Sequence, residues 1–184
     1  MKFAKHLLVA GIAVAVLSGC GGNDKANTAN QAASPAPAAE KVDAVTAASI
    51  VDQGEGFKQA VSESGTWIIA TLNDVTLEEE VTVAGEFHDK GAADGDVYRK
   101  IALYAQDADH KITASYTLTV PKLTVQSENL RVQGGTIKGD VYVEAKGFNL
   151  HESATIDGNL YFASEDVKAT AVIDGKVTGA TEIK

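Results

Sequence analysis

The sequence predicts an all-β fold: a single-domain β-solenoid (β-helix) of about five or six coils with a short amino-terminal capping helix. An apolar–any–Gly–any–apolar motif recurs in residues 137–141, 156–160 and 173–177, whose first residues are 19 and then 17 positions apart. An earlier copy occupies residues 83–87. A repeat at a nearly constant interval is typical of stacked coils, and the intervening apolar–polar alternation is typical of half-buried strands.

The alternation assigns strands along the chain. Residues 67–72 form a buried strand, and residues 98–105 form another that places Ile101 and Leu103 on one side. Residues 112–120 alternate again. Pro121 then interrupts the hydrogen-bond ladder of this strand, because proline has no N–H to donate.

One short helix is predicted near residues 55–63. Phe57, Ala60 and Val61 share a face at spacings of three and four residues. A solenoid leaves unpaired backbone groups at its ends, and an amphipathic helix is one way to cover them. We interpret this helix as a cap of the domain, which spans residues 46–184; a surface helix docked on the domain is the alternative.

An antiparallel β-sandwich or barrel is the competing fold, because short strands separated by turns also suit it. The recurring glycine motif favours the solenoid. In a solenoid, equivalent residues of successive coils stack, so Ile137, Ile156 and Ile173 should lie directly above one another. After Val177 only the residues to Lys184 remain, too few for a second helical cap. We therefore expect an open carboxy-terminal end.

Residues 1–19 have the features of an export signal. Lys2 and Lys5 make the start positive, and the apolar run that follows is too short to span a bilayer. The run ends in Leu17-Ser18-Gly19-Cys20, which resembles the lipobox of bacterial lipoproteins. This resemblance implies cleavage before Cys20 and attachment of acyl chains to it. Those chains would hold the protein on a membrane.

Residues 20–45 predict a disordered tether behind the lipidated cysteine. Their composition is polar and Ala-rich, and Pro35 and Pro37 oppose a helix. Residue 21 is Gly rather than Asp, which resembles lipoproteins that are not retained at the inner membrane. We expect a cell-envelope protein facing outward from the cytoplasmic membrane, located at the outer membrane if the organism has two membranes.

Residues 136–179 resemble the coils of bactofilins, the polymer-forming cytoskeletal β-helix family of bacteria. The shared feature is the apolar-x-Gly-x-apolar unit repeated in coils of similar length. The resemblance implies a β-helix that can associate with further copies of itself.

The formal net charge of −9 argues against nucleic acid as a partner, because phosphate contacts require a basic patch. It equally argues against electrostatic adhesion to anionic lipid. The expected partners are a membrane, through the acyl chains on Cys20, and either a second copy or an envelope component.

Two groups of side chains are candidate sites. Tyr142 and Tyr161 follow Ile137 and Ile156 at the same offset, so they should stack on the outer face as a platform for a sugar ring or as a stabilising ladder. A weaker candidate is a Ca²⁺ site, since carboxylate and amide oxygens are its ligands. Its residues would be Asp157, Asn159 and Asp174.

These features favour a structural or interaction protein of the cell envelope over an enzyme. No acid–base pair and no phosphate-binding loop stands out in the sequence, and we expect no cofactor. A carbohydrate-binding module that uses the Tyr142–Tyr161 face is the first alternative. A polysaccharide-acting β-helix enzyme is the second.

Overall fold

The computed structural model describes residues 48–184, so the predicted signal and tether lie outside the described residues. This part of the chain is mostly β-strand. In chain order the strands are β1 (Ala48–Val51), β2 (Ile68–Thr71), β3 (Val75–Thr76), β4 (Val81–Val83), β5 (Arg99–Ala102), β6 (Tyr104–Gln106), β7 (Ile112–Ser115), β8 (Thr117–Val125), β9 (Leu130–Gln133), β10 (Thr136–Val143), β11 (Asn149–Leu150), β12 (Thr155–Asp157), β13 (Leu160–Phe162), β14 (Val172–Ile173), β15 (Lys176–Val177) and β16 (Thr181–Ile183). The helices are α1 (Gly54–Val61), α2 (Glu165–Ala169) and a 3-10 turn (Asp89–Gly91).

The strands form two parallel sheets. The six-stranded sheet has the order β1-β2-β5-β9-β11-β14. In the eight-stranded sheet β8 pairs with β10, β3 and β4 lie beyond β8, and β12 and β13 followed by β15 and β16 lie beyond β10. Among the named strands of residues 48–184, only β6 and β7, which form a hairpin, are antiparallel to each other. The antiparallel sandwich or barrel is therefore wrong as an alternative.

The core consists of columns of aliphatic side chains between the sheets. Leu118, Ile137 and Ile156 are register partners in neighbouring parallel strands, and all three are fully buried. Parallel pairing in register stacks identical positions, and the period of two sends alternate residues inward. Burying each such side chain contributes about 1.5–3 kcal/mol. These columns therefore dominate the stability of the domain.

The register confirms part of the predicted stacking. Ile137 pairs with Ile156, as expected. The placement of Ile173 above them is wrong, because Ile156 pairs with Val177. Ile173 instead pairs with Leu150 in the six-stranded sheet. The third glycine motif is thus displaced by four residues from the alignment that its letters suggest.

Two copies of the motif are out of register, and helix α2 accounts for the later one. Helix α2, which the sequence analysis missed, lies between β13 and β14 and lengthens the last interval. Its N-cap is Ser164, whose hydroxyl accepts a hydrogen bond from the Val167 N–H at 3.2 Å. The early copy at residues 83–87 is also out of register, since Val83 pairs with Val125. The residue in line with Leu118 and Ile137 is Val75.

Glycine is required at residue 139, where strand β10 lies opposite a bulge in strand β8. Gly139 has φ +141°, and a β-carbon there would overlap the carbonyl oxygen of Val120. At this point β8 carries a bulge, because the register skips Val120 and Pro121 opposite Gly139. Gly158 faces the Gly139 carbonyl and Gly179 faces the Gly158 carbonyl in the same way. The glycine column is therefore Gly139–Gly158–Gly179, and Gly175 lies elsewhere.

Helix α1 packs against the first strands of both sheets. It runs over Gly54–Val61, close to the predicted 55–63, and buries Phe57, Ala60 and Val61. It contacts β1, β2 and β4. The apolar face inferred from the sequence is thus the face turned to the core.

Arg99 is a buried cation that the sequence analysis did not single out. Its side chain is fully buried, and its register partner in β9 is the core residue Leu130. Its guanidinium donates to four backbone carbonyls and one hydroxyl, and it lies 4.0 Å from the centre of the Phe87 ring. The acceptors are the carbonyls of Ala60, Ser62, Thr66 and Ala84 and the hydroxyl of Ser127. Burial lowers the pKa of Arg99 to about 10, so it stays charged near neutral pH.

Candidate functional site

The last strands of both sheets form an open edge, which we name the carboxy-terminal edge (β14, β15 and β16). β14 pairs with β11, β15 with β12 and β16 with β13. No strand within residues 48–184 pairs with their other sides. Unpaired strand edges present backbone N–H and C=O groups that favour pairing with another chain.

At this edge, residues that continue the buried columns of the core are themselves exposed. Ile173 is 36% exposed, although its partner Leu150 is fully buried. Ile183 is also 36% exposed, beside Phe162 at 1%. Val172 is 46% exposed, but its register partner is the half-buried Asn149, so it does not continue a core column. Side chains that are core residues in the inner strands are therefore in contact with water in the last ones.

The opposite end of the sheets is different because helix α1 lies there. Phe57 and Val61 of the helix are fully buried, and Arg99 donates hydrogen bonds to carbonyls at and just beyond its carboxyl end. The helix lies against β4 and β1. Within the described residues, strands β1, β3 and β4 are also unpaired on one side, but helix α1 contacts β1 and β4. At the carboxy-terminal edge the core positions Ile173 and Ile183 are exposed instead.

Tyr142 and Tyr161 are register partners in β10 and β13, and both are half-buried. Their rings are already engaged by the end of the chain. The Tyr142 hydroxyl donates to the carbonyl of Lys184 at 2.9 Å, and Lys184 Nζ lies 3.6 Å from the centre of the Tyr161 ring. Hydrogen bonding with Tyr161 raises the pKa of Lys184. Lys184 therefore covers the face that the sequence suggested for a sugar.

The three oxygen-bearing residues suggested for Ca²⁺ do not converge. Asp157 accepts a hydrogen bond from the Thr178 hydroxyl at 3.0 Å in the eight-stranded sheet. Asp174 follows β14 of the six-stranded sheet, so Asp157 and Asp174 do not occupy equivalent positions of neighbouring strands. Asn159 donates to Asp140 and accepts from the Ala180 N–H, both at 2.9 Å. Within residues 48–184 no three His, Cys, Asp or Glu side chains are grouped as a metal site.

Comparisons with known proteins add no assignment. No protein-family model matches the chain, and no curated protein or solved structure is significantly similar to it. None of the helices described in residues 48–184 is long and apolar enough to cross a membrane. Cys20, the predicted lipidation site, lies outside the described residues.

Proposed function

We propose that this chain is a lipid-anchored protein of the cell envelope whose β domain self-associates through the carboxy-terminal edge. The observation that carries the proposal is the exposure of core positions in β14 and β16 together with three strands unpaired on one side. Such an edge is a liability unless it is covered. Association with a second copy would cover it.

The pairing pattern supports a β-solenoid as the scaffold. Along the chain, one strand of the six-stranded sheet is followed by strands of the eight-stranded sheet: β9 by β10, β11 by β12 and β13, and β14 by β15 and β16. Each such passage would be one coil. Five of the six strands of the first sheet begin such a passage, because β1 is followed by β2 of the same sheet. Five passages would correspond to five coils.

A closed dimer is the assembly that these ends favour. A contact between two carboxy-terminal edges related by a twofold axis is self-complementary and engages three strands on each copy. A head-to-tail contact would instead meet β1, β3 and β4, which are also unpaired on one side in the described part of the chain, and helix α1, which contacts β1 and β4. The first contact avoids the helix and covers the exposed core positions Ile173 and Ile183. Its dimer would stop there, without growing into a filament.

Replacing Ile173 by lysine is expected to weaken self-association about tenfold or more, because a charge would have to be desolvated in an apolar contact. Sedimentation velocity of a chain that begins at Gly21, over about a hundredfold range of concentration, measures the monomer–dimer equilibrium. Ile112→Lys is the matched control, since Ile112 lies in the β6–β7 hairpin and is 39% exposed against 36% for Ile173. A wild-type chain that stays monomeric, or equal effects of both variants, would contradict the proposal.

The membrane anchor is tested separately at Cys20, which is the only cysteine of the chain. Cys20→Ala is expected to abolish incorporation of radiolabelled palmitate and to leave the protein unprocessed or released from the membrane fraction. Ile173→Lys is the control, because it changes the edge and should label as the wild type does. A Cys20→Ala protein that still carries lipid would refute the anchor.

A further inference from the structure

A cleft of about 670 Å³ lies beside strands β2 and β5, away from the carboxy-terminal edge. The loop of residues 88–97 forms one of its walls. Six of its lining residues carry the argument: Trp67, Tyr98, Lys100, Asp89, Asp96 and Asn129.

An aromatic pair supplies the apolar surface of the cleft. The ring centres of Trp67 and Tyr98 are 6.2 Å apart, with the planes tilted by 57°. Both side chains are half-buried and both line the cleft. Neither belongs to the buried core clusters of residues 48–184. Core packing therefore does not account for the placement of these two large rings at a concave surface.

Polar groups of both kinds surround the rings. Asp89 and Asp96 are hydrogen-bond acceptors, and Lys100 donates to the Tyr104 hydroxyl at 2.8 Å while lining the cleft. Burial raises the pKa of Tyr98, the charge of Arg131 opposes this increase, and the charge of Asp89 adds to it. The Tyr98 hydroxyl thus stays protonated at neutral pH and can donate.

Hydrogen bonds hold the loop in place. His88 and Val97 form a β-bridge, and the Asp89 N–H donates to the Asp96 carbonyl at 2.9 Å. Asn129 donates to the Val97 carbonyl at 2.9 Å. The two carboxylates are therefore carried on a preformed wall, and preformed sites lose less free energy to ordering when a ligand binds.

We propose that this cleft binds a saccharide ring that lacks acidic groups, either a neutral sugar or an amino sugar of a glycan. A pyranose presents an apolar C–H face, which suits Trp67 and Tyr98, and hydroxyls at its edges, which suit the carboxylates and Lys100. Two carboxylates and one ammonium line the cleft, while Arg131 and Lys90 lie outside the lining and offset part of the negative charge. A uronic acid or phosphorylated sugar would lie against more carboxylates than ammonium groups in the lining, which is less favourable than for a neutral or amino sugar. The site is independent of the self-association proposed above and requires no contact between copies.

Trp67 gives a direct readout, because it is the only tryptophan of the chain. Cellotetraose (neutral) and a chitosan tetramer (amino sugar) are the probes, and tetragalacturonate is the acidic comparison. We expect a saturable change of Trp67 emission with at least one of the first two and none with the third. No saturable change with either probe up to about 10 mM, or stronger binding of tetragalacturonate, would overturn the proposal.

Variants separate the cleft from other surfaces. Tyr98→Ala is expected to weaken binding of the active probe about tenfold by calorimetry, and Asp96→Asn to weaken the amino-sugar probe more than the neutral one. Tyr161→Ala removes a half-buried tyrosine outside the cleft and should bind as the wild type does. Circular dichroism melting confirms that each variant folds. Loss of binding in Tyr161→Ala with retention in Tyr98→Ala would also overturn it.

Discussion

Replacing Arg99 with methionine is expected to destabilise the domain by about 4 kcal/mol or more, a large share of the stability of a typical domain. Methionine keeps much of the side-chain volume but removes every hydrogen-bond donor. Four carbonyls and the Ser127 hydroxyl would then lose the guanidinium as a donor. The carbonyls of Ala60 and Ser62 would each keep one backbone N–H, so the largest cost falls on those of Thr66 and Ala84. A buried acceptor left without a partner costs about 1–3 kcal/mol. Some of these carbonyls belong to α1 and the turn after it, so the helix would loosen first.

Urea unfolding followed by Trp67 fluorescence measures this loss. Arg131→Met is the matched control, because Arg131 lies in the adjacent strand β9 but is only half-buried. We expect a loss of about 1 kcal/mol or less for the control. Equal losses for the two variants would show that the buried hydrogen bonds of Arg99 do not stabilise the fold as argued.

Arg99 also predicts how stability depends on pH. Its pKa is lowered by burial to about 10 in the folded protein, so the folded state binds this proton less tightly than the unfolded chain does. The cost of burying the charge is present in full below pH 10 and is relieved only as the pH rises above that value. Arg99 should therefore leave stability unchanged between about pH 6 and 9. Urea midpoints across that range test this.

Gly139→Ala is expected to cost about 3–5 kcal/mol. The added β-carbon would overlap the Val120 carbonyl oxygen, and φ at this residue is +141°. The backbone of β8 would have to move, which would disturb the register that stacks Leu118 on Ile137. Thermal melting followed by circular dichroism measures the loss.

Gly91→Ala is the control for backbone conformation alone. Gly91 also has a positive φ, +66°, but a β-carbon there would meet no atom within 4 Å. We expect a loss of about 1 kcal/mol, the ordinary cost of a left-handed non-glycine residue. If the Gly139→Ala protein melts at the same temperature as Gly91→Ala or higher, the steric role of Gly139 is contradicted.

The apolar–polar alternation of residues 98–105 already implies that Arg99 points into the core. Ile101 and Leu103 were placed on one side of their strand, and Arg99 has the same parity as both. A cation in an inward position was overlooked because charged residues are rarely fully buried. The carbonyls that accept its hydrogen bonds lie in residues 60–66 and at Ala84, and the hydroxyl is that of Ser127. These parts of the chain are distant from Arg99 in sequence, so they could not be identified before the fold was known.

The cleft could be predicted only in part. Trp67 and Tyr98 begin two of the strands that the alternation predicted, but they are far apart in sequence and converge because β2 and β5 pair in parallel. The Tyr142–Tyr161 stack followed directly from the repeat, and the strands bring the two together. What the repeat could not reveal is Lys184, whose Nζ lies over the Tyr161 ring and whose carbonyl accepts a hydrogen bond from the Tyr142 hydroxyl.

Local information in the sequence determined the strand-rich class, helix α1 and the pairing of Ile137 with Ile156, because periodicity and small recurring motifs act within a few residues. Only the tertiary structure decided which copy of the motif pairs with which. Ile173 begins a complete copy of the motif, whereas the copy that begins at Val177 ends in Thr181 rather than in an apolar residue. The length of the insertion that contains α2 nevertheless selects Val177. Register is a property of two distant segments packed on a shared core, so one segment read alone cannot specify it.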